Sequence, residues 1–342
     1  MKKDINKKLI IGFSIGDYNG IGPEILLKSF LNKKLFEKCI PIVFCDYEIL
    51  NHYKSLYNYQ IKIEKCSSIK NKLNNNTIYT FISKKIKYII NTGTLDSNAG
   101  LYSINSLKEV INSLKHRSID GLVTLPINKI NSQSKKFNFP GHTEYLQNIF
   151  DAKDVIMIMH SKEMTIGLIS GHIPLRKVVS SINSSHIQSK ILTFINSLET
   201  DFNINNPKIA ILGLNPHCGE LGLLGSEEIK IIIPIMNKLN NINKNLYGPF
   251  SADSFFGMKK YKDFDGIISF YHDQGLIGFK SVSFENGVNY TAGLPYVRTS
   301  PDHGTAFGIS GKGKANEISL TESINLNIEI INNRKFSKYN NR

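Results

Sequence analysis

Three histidines stand where side chains could meet around a metal ion. His172, His217 and His272 each come shortly after an apolar run that predicts a β-strand. The carboxyl ends of parallel strands share one edge of a sheet, so the three imidazoles could converge there. Three imidazoles with an open fourth position are typical of catalytic zinc, and other divalent metals fit as well. Taken singly, each histidine also suits a structural role, and Cys218 is a rival ligand beside His217.

A second group of residues suits a phosphate or a carboxylate. Lys129 ends the string TLPINK, which follows a predicted strand, and His142 and Thr143 lie in PGHTE before a predicted helix. A cation, an imidazole and a hydroxyl near strand and helix ends can bind an anion. Taken alone, His142 is as compatible with a structural role as with a functional one.

The densest polar segment covers residues 289–306, NYTAGLPYVRTSPDHGTA. Polar stretches of this kind rarely exist for packing alone. Arg298 offers a planar fork that matches phosphate or carboxylate, and Lys280 is a second cation shortly upstream. The competing interpretation is a polar loop that covers the edge of a sheet.

A glycine-rich loop, GDYNGIGPE at residues 16–24, follows the first predicted strand. Pro23 suits the first turn of a helix, and glycines before a helix can seat an anion or form a tight turn. The string is neither a Walker loop nor GxGxxG, so by itself it indicates little more than a strand-to-helix turn.

Apolar runs alternate with helical patterns along the chain. Residues 101–114, 187–198 and 320–331 each place apolar side chains on one helical face, and Ser319 with Glu322 forms a capping-box pattern. Such alternation predicts an α/β fold with a largely parallel sheet. The predicted strands are Leu9–Ile15, Ile40–Phe44, Gly121–Thr124, Val155–Met159, Thr165–Ile169, Ile209–Leu212 and Gly266–Phe270.

Composition excludes several classes of protein. The 342 residues are 41% hydrophobic and 20% charged, which is typical of a globular protein, and no stretch reaches the roughly 18 apolar residues of a membrane span. The N-terminal apolar run predicts a strand rather than a signal peptide, so we expect a cytoplasmic protein. The net charge of +14 is spread along the chain without a nucleic-acid motif, so we expect no nucleic-acid partner. Part of this charge could attract an anionic substrate and a dinucleotide.

Eight strings resemble the signature blocks of the 4-hydroxythreonine-4-phosphate dehydrogenase family. They run in order from about Ile11 to Ser319, nearly the whole chain. The departures from the family pattern are Tyr18 and Asn19 in the first loop, Cys218 in place of alanine, and Pro301 in place of valine, and none removes a candidate ligand. The strings are GDYNGIGPEI, LPINK, FPGHTEYL, GHIPLRKV, LNPHCGELGLLGSEE, GPFSADSFF, YHDQGLIGFK and GLPYVRTSPDHGTAFGISGKGKA.

The resemblance implies a fold like that of isocitrate and isopropylmalate dehydrogenases, with two α/β subdomains flanking a cleft. Residues 1–130 with 282–342 would form the first subdomain. Residues 131–281 would form the second, which would carry a dimer interface. It also implies a homodimer with shared active sites.

The resemblance also implies roles for the candidate residues. A divalent metal (zinc foremost, with magnesium or cobalt as alternatives) would be held by His172, His217 and His272. Substrate would be bound by His142, Thr143, Lys280, Asn289 and Arg298. Asp253 would lie beside the metal, and Asp253 and Lys129 are the candidate catalytic proton acceptors. NAD or NADP is expected near Asp302, His303, Gly304 and Thr305.

The implied reaction is oxidation of 4-phosphohydroxy-L-threonine at its secondary alcohol by NAD or NADP. Decarboxylation to 3-amino-2-oxopropyl phosphate would follow, as a step of vitamin B6 synthesis. A dehydrogenase of 4-phosphothreonate or 4-phosphoerythronate would use the same motifs. A binding protein for phosphorylated metabolites that has lost catalysis is the alternative from another class.

Overall fold

The computed structural model describes residues 8–69, 73–83, 86–133, 137–139 and 141–340. The chain divides into two compact units. The first unit comprises residues 1–145 and 296–331, and the second comprises 146–295 and 332–342. The borders at 145/146 and 295/296 lie later in the chain than the predicted subdomain boundaries at 130/131 and 281/282, and residues 332–342 belong to the second unit, not to the first as predicted. One reason is a strand at residues 288–292 that pairs with a strand at 156–160, which ties it to the second unit.

The described residues of the first unit form strands in the order β3-β4-β2-β1-β5-β12, and every pairing described there is parallel. Its central strands are apolar and almost wholly buried, as expected for strands covered on both faces. The chain leaves β1 toward β2 on one side and returns to β5 on the other, so the topological switch point lies at the carboxyl ends of β1 and β5. The strands are β1 (Leu9–Ser14), β2 (Cys39–Phe44), β3 (Lys62–Lys65), β4 (Thr77–Thr80), β5 (Gly121–Thr124) and β12 (Arg298–Pro301).

The helices of the first unit bury apolar faces. On α4 the predicted stripe is buried from Ile104 to Leu114, whereas Leu101 is half exposed. The helices are α1 (Gly22–Leu31), α2 (Lys34–Lys38), α3 (Tyr47–Leu56), α4 (Ser97–Lys115) and α5 (Lys129–Ser132). Two further helices begin in this unit and continue past its borders, α6 (His142–Ile149) and α12 (Ile318–Asn340).

The second unit has a mixed sheet in the order β11-β6-β7-β10-β8-β9. The β6 strand is antiparallel to both β11 and β7, while β7, β10, β8 and β9 run parallel to one another. The predicted largely parallel sheet therefore holds for the described pairings other than those of β6, whose link to β7 is short enough only for a hairpin. The strands are β6 (Ile156–His160), β7 (Thr165–Leu168), β8 (Lys208–Leu212), β9 (Asn245–Phe250), β10 (Gly266–Ser269) and β11 (Val288–Ala292).

The helices of the second unit also bury apolar faces. The inner face of α8 buries Ile187, Ile191, Phe194 and Leu198. A π-helical turn at Glu228–Ile232 leads into α9. The helices are α7 (Val178–Ser181), α8 (Ser184–Thr200), α9 (Ile233–Asn240), α10 (Ala252–Gly257) and α11 (His272–Ser283).

Two local predictions differ from the structure. The segment 289–306 is not one loop, since most of β11 and all of β12 lie within it. The capping box is also wrong, because α12 already begins at Ile318 and the Ser319 hydroxyl instead accepts a hydrogen bond from the backbone N–H of Asp302 at 2.9 Å. The hydroxyl thereby holds the start of the loop after β12.

Among the described residues, every helix is too short or too polar to cross a bilayer.

Candidate functional site

The three candidate metal ligands follow three neighbouring parallel strands of the second unit. His172 follows β7, His272 follows β10 and His217 follows β8, and these strands are adjacent in the order β7-β10-β8. Their carboxyl ends therefore lie on one edge of the sheet, as the sequence predicted. Each histidine lies in a loop or at a helix start just beyond that edge.

Two of these histidines lie close together. The ring centroids of His172 and His272 are 5.4 Å apart, and both rings line a cavity of about 310 Å³ that also contacts Leu175 and Asp273. Two imidazoles that bind one zinc ion through nitrogens at about 2.0–2.1 Å have ring centroids roughly 5 Å apart. His272 Nδ1 lies 2.7 Å from Asp273 Oδ1, so a carboxylate orients this ring as it does for many metal-bound histidines. The pair therefore fits a divalent cation.

His217 is placed differently. It is exposed, and its backbone is left-handed with a φ of 50°. Among the described residues no three or more His, Cys, Asp or Glu side chains are grouped so that they could hold a metal ion. The structure thus brings His172 and His272 together but does not join His217 to them, and the three-histidine site stays a prediction.

Asp253, a candidate proton acceptor, lies exposed on α10. A hydrogen bond from the Ser251 hydroxyl at 2.5 Å, followed by weaker contributions that include the charge of His217, lowers the pKa of this carboxyl. A lowered pKa keeps Asp253 ionised but makes it a weak base. This arrangement favours an electrostatic role for Asp253 over proton abstraction.

In the first unit, Arg298 is buried at the start of β12, with 3% of its surface exposed. Its Nε and Nη2 atoms donate hydrogen bonds to Thr124 Oγ1, at 3.1 and 2.6 Å. Burial lowers the pKa of Arg298 to about 10, and the Glu144 carboxylate opposes that shift. At neutral pH the guanidinium is therefore a fixed, desolvated cation.

His142 begins α6, is half-buried, and is influenced by the charges of two cations. Burial, followed by the charges of Arg298 and Lys129, lowers the pKa of His142 well below its usual value, so the imidazole is neutral. Its Nε2 atom is buried and has no hydrogen-bond partner within the described residues. The neutral ring and the adjacent Thr143 hydroxyl can both donate hydrogen bonds to an anion that the nearby cations attract. The set is suited to a phosphate or a carboxylate.

The candidate cofactor residues Asp302, His303, Gly304 and Thr305 form the loop that follows β12. The Thr305 carbonyl accepts the N–H of Ile21 at 3.0 Å, and a Cβ on Gly20 would lie only 2.8 Å from the same oxygen. The loop thus packs directly against the glycine-rich loop after β1, at the switch point of this sheet. The glycine at position 20 is required for that close approach.

Lys280 and Asn289 belong to the second unit. Lys280 lies in the last turn of α11, with its Nζ 5.8 Å from the centre of the Phe284 ring. Asn289 lies on β11 and donates from its amide to the sulfur of Met157 at 3.3 Å. Both are half-buried polar side chains.

Sequence reasoning missed four residues that hold these side chains in place. Thr124 anchors Arg298, Glu144 opposes its pKa shift, Asp273 orients His272, and Glu228 holds the loop of His217. Thr124, Glu144 and Asp273 lie inside the strings TLPINK, PGHTE and YHDQGLIGFK, which was the available signal. Nothing local to Glu228 showed that its carboxylate reaches back to residues 214 and 215.

Comparisons with known proteins identify the family. The chain matches the family described as pyridoxal phosphate biosynthetic protein PdxA over residues 37–327. It is 39% identical over 333 residues to the 4-hydroxythreonine-4-phosphate dehydrogenase of Bacteroides thetaiotaomicron, covering 97% of this chain and 91% of that protein. It is 33% identical over 322 residues to a Clostridium botulinum protein that carries the provisional name D-threonate 4-phosphate dehydrogenase, covering 94% of this chain and 96% of that one.

Solved structures give the same result. The 4-hydroxythreonine-4-phosphate dehydrogenase of Klebsiella pneumoniae superposes with a TM-score of 0.81 at 29% identity, covering 96% of this chain and 99% of that one. An isocitrate dehydrogenase from Methylococcus capsulatus shares the fold, with a TM-score of 0.51 at 12% identity and coverage of 96% and 88%. The predicted isocitrate dehydrogenase-like α/β fold is confirmed. With the family match spanning most of the sequence, the chain belongs to the pyridoxal phosphate biosynthetic protein PdxA family.

Proposed function

We propose that this chain is a 4-hydroxythreonine-4-phosphate dehydrogenase that uses NAD or NADP and a divalent metal. The observation that carries the proposal is the buried Nε2 atom of His142, which has no hydrogen-bond partner within the described residues and is influenced by the charges of buried Arg298 and exposed Lys129. The phosphate of a phosphorylated substrate can accept a hydrogen bond from this neutral imidazole and is attracted by both cations. The names of the Bacteroides and Klebsiella relatives point to the same substrate.

The substrate-binding residues have separable tasks. Arg298, held in one plane by Thr124, presents a rigid fork to an anionic oxygen, and Lys280 offers a second cation. Neutral His142 and the Thr143 hydroxyl would donate hydrogen bonds to the same anion. Fixed donors of this kind orient a substrate without reorganisation at the moment of reaction.

Oxidation of the secondary alcohol removes a hydride from carbon and a proton from oxygen. NAD or NADP, which we place near the loop Asp302–Thr305, would supply the nicotinamide that accepts the hydride. A divalent cation held by His172, His272 and His217 would supply Lewis acidity that favours loss of the alcohol proton. Lys129 and Asp253 are the candidate proton acceptors, and the lowered pKa of Asp253 favours Lys129. The resulting β-keto acid loses CO₂, which leaves 3-amino-2-oxopropyl phosphate.

We also propose that a second copy of the chain covers apolar side chains of the second unit. Leu221 is 96% exposed and Leu223 is 81% exposed, next to His217, and Phe284 is 74% exposed after α11. Exposed apolar surface of this kind marks an interface more often than a free surface. Light scattering of the wild-type chain and of Leu223→Glu tests this, since a monomeric wild type would contradict the homodimer.

The decisive assay is spectrophotometric NADH formation from 4-phosphohydroxy-L-threonine, with and without a chelator. We expect metal-dependent NADH formation. The relationship to the Clostridium protein favours 4-phospho-D-threonate as the second candidate substrate. A much larger kcat/KM for 4-phospho-D-threonate would overturn the vitamin B6 assignment. Tight binding of the phosphorylated substrate with no NADH formed would instead indicate a binding protein.

A further inference from the structure

The loop that carries His217 has an unusual backbone. Five consecutive residues, from His217 to Leu221, have φ values between 44° and 77°. Left-handed backbone is unfavourable for side chains other than glycine, and four of these five residues are not glycine. A run of this kind persists only where neighbouring contacts hold it, so the residues that make those contacts determine where the His217 imidazole lies.

Glu228 makes the principal contacts. Its Oε1 accepts the backbone N–H groups of Leu214 and Asn215, at 2.8 and 2.7 Å, and its Oε2 accepts the Asn215 side-chain amide at 2.9 Å. The residue is only 1% exposed. It stands at the first position of the π-helical turn, a distortion that is found frequently at functional sites.

Asn215 and Glu228 also contact residues of the left-handed segment itself. The Asn215 carbonyl accepts the N–H of Cys218 at 3.1 Å, which closes a turn around His217. A Cβ on Gly219 would lie 2.8 Å from Glu228 Oε2, so only glycine permits the carboxylate to approach this closely. The buried carboxylate is therefore connected to both sides of His217, although it does not touch the ring.

We propose that Glu228 is the positioning residue that fixes His217 for binding a divalent cation. The inference rests on the proposed function, because it concerns the metal of that site. A carboxylate behind a metal-binding imidazole acts by restricting the loop, and loss of such support typically weakens metal affinity by roughly 10–100-fold. Glu228 contributes no ligand atom in this arrangement. Its effect is exerted entirely through the turn at Asn215 and Cys218.

The test is the zinc affinity of the purified full-length apo-protein, measured by competition with a chromophoric chelator. We expect Glu228→Gln to weaken zinc binding by roughly 10–100-fold, because the amide cannot replace the second carboxylate oxygen as an acceptor. Glu227→Gln is the matched control, since Glu227 accepts from the same Asn215 side-chain amide at 2.8 Å, whereas the backbone N–H groups of Leu214 and Asn215 donate to Glu228. We expect a much smaller change there. Equal affinity in Glu228→Gln and wild type overturns the proposal.

A double-mutant cycle separates positioning from general destabilisation. In a His217→Ala background we expect Glu228→Gln to cause no further loss of zinc affinity, because the two residues act through one contact. Additive losses would show that Glu228 acts elsewhere and would overturn the proposal. Asn215→Ala keeps the backbone N–H donors to Glu228 and should cause an intermediate loss of zinc affinity. This variant replaces Glu228→Gln in the test if Glu228→Gln does not fold.

Activity provides a separate readout. Excess zinc should restore the kcat of Glu228→Gln while KM for NAD stays at the wild-type value, whereas a folding defect would not respond to zinc. Wild-type protein that binds zinc without forming NADH would contradict the proposed function alone, and the affinity comparison would still decide the role of Glu228. Wild-type protein that binds no zinc overturns both.

Discussion

Arg298 and Thr124 are joined by two hydrogen bonds from one guanidinium to a single hydroxyl oxygen, at 3.1 and 2.6 Å. Their strands, β12 and β5, are parallel neighbours, and Arg298 stands opposite Leu122, two residues before Thr124. The β-sheet register thus brings the side chains together across 174 residues of sequence. Because the hydroxyl fixes the plane of the guanidinium, the orientation of the cation is set before any anion arrives.

Arg298→Lys should therefore impair binding of the phosphorylated substrate. Lysine keeps the charge but loses the planar fork, and hydrogen bonds to a charged group contribute about 1.5–3 kcal/mol, or roughly a 10–100-fold change in affinity. We expect KM for the substrate to rise by that factor while KM for NAD changes little. Steady-state kinetics measure both. Arg117→Lys, at an exposed position, is the control, and an unchanged substrate KM in Arg298→Lys would remove Arg298 from the binding site.

Protein stability should fall as the pH drops below neutrality, and His160 is one cause. Burial lowers the pKa of His160 from 6.5 to about 4. Between these pH values the unfolded chain binds a proton at His160 that the native state does not bind. The contribution of neutral His160 to the free energy of unfolding is therefore complete above pH 6.5 and is lost as the pH falls toward 4. From pH 7 to pH 5 the loss should be about 2 kcal/mol.

Urea unfolding of wild type and His160→Asn at the two pH values measures this effect. The asparagine variant should lose less stability on acidification than the wild type does. His116→Asn, at an exposed position, should keep the wild-type pH dependence. If His160→Asn and the wild type lost equal stability, His160 would not be the titrating group.

Asp273→Asn should weaken metal binding through His272. The carboxylate lies 2.7 Å from Nδ1, and a carboxylate partner fixes both the ring orientation and the tautomer of a metal-binding imidazole. We expect roughly a 10–100-fold loss of zinc affinity, measured by chelator competition. Asp263→Asn, on a separate 3₁₀ turn, should bind zinc as the wild type does. Wild-type affinity in Asp273→Asn would indicate that the contact with His272 is incidental.

The sequence predicted those features that are encoded locally. Strand signals placed His172, His217 and His272 correctly at strand ends, because a run of buried apolar residues is visible without knowledge of the partner strand. The bond from Arg298 to Thr124 was not predictable in this way, since it depends on the register of two distant strands.

Competition between local and tertiary contacts explains the remaining differences between the predicted and the observed structure. Ser319 has the sequence pattern of a helix cap, but its hydroxyl is used by the loop at Asp302. The strand β11 was hidden in a polar segment, and its antiparallel pairing with β6 moved the unit border. Glu228 carries an ordinary helical signal, and only its side-chain contacts reveal that it holds the loop of His217.

Gly100→Ala should disturb the proposed substrate site from outside it. A Cβ at position 100, on α4, would lie 2.0 Å from the backbone oxygen of Asn131, so α4 and α5 touch backbone to backbone. Since α5 begins with Lys129, an added methyl group must displace the segment that carries this cation. Overpacking of this kind costs about 1–3 kcal/mol. We expect a lower midpoint of urea unfolding together with a raised substrate KM.

Gly257→Ala, where a Cβ would meet nothing within 4 Å, is the matched control and should preserve both the unfolding midpoint and the substrate KM. A Gly100→Ala protein with wild-type stability and wild-type substrate KM would show that α5 can shift without consequence, and would argue against a role for Lys129.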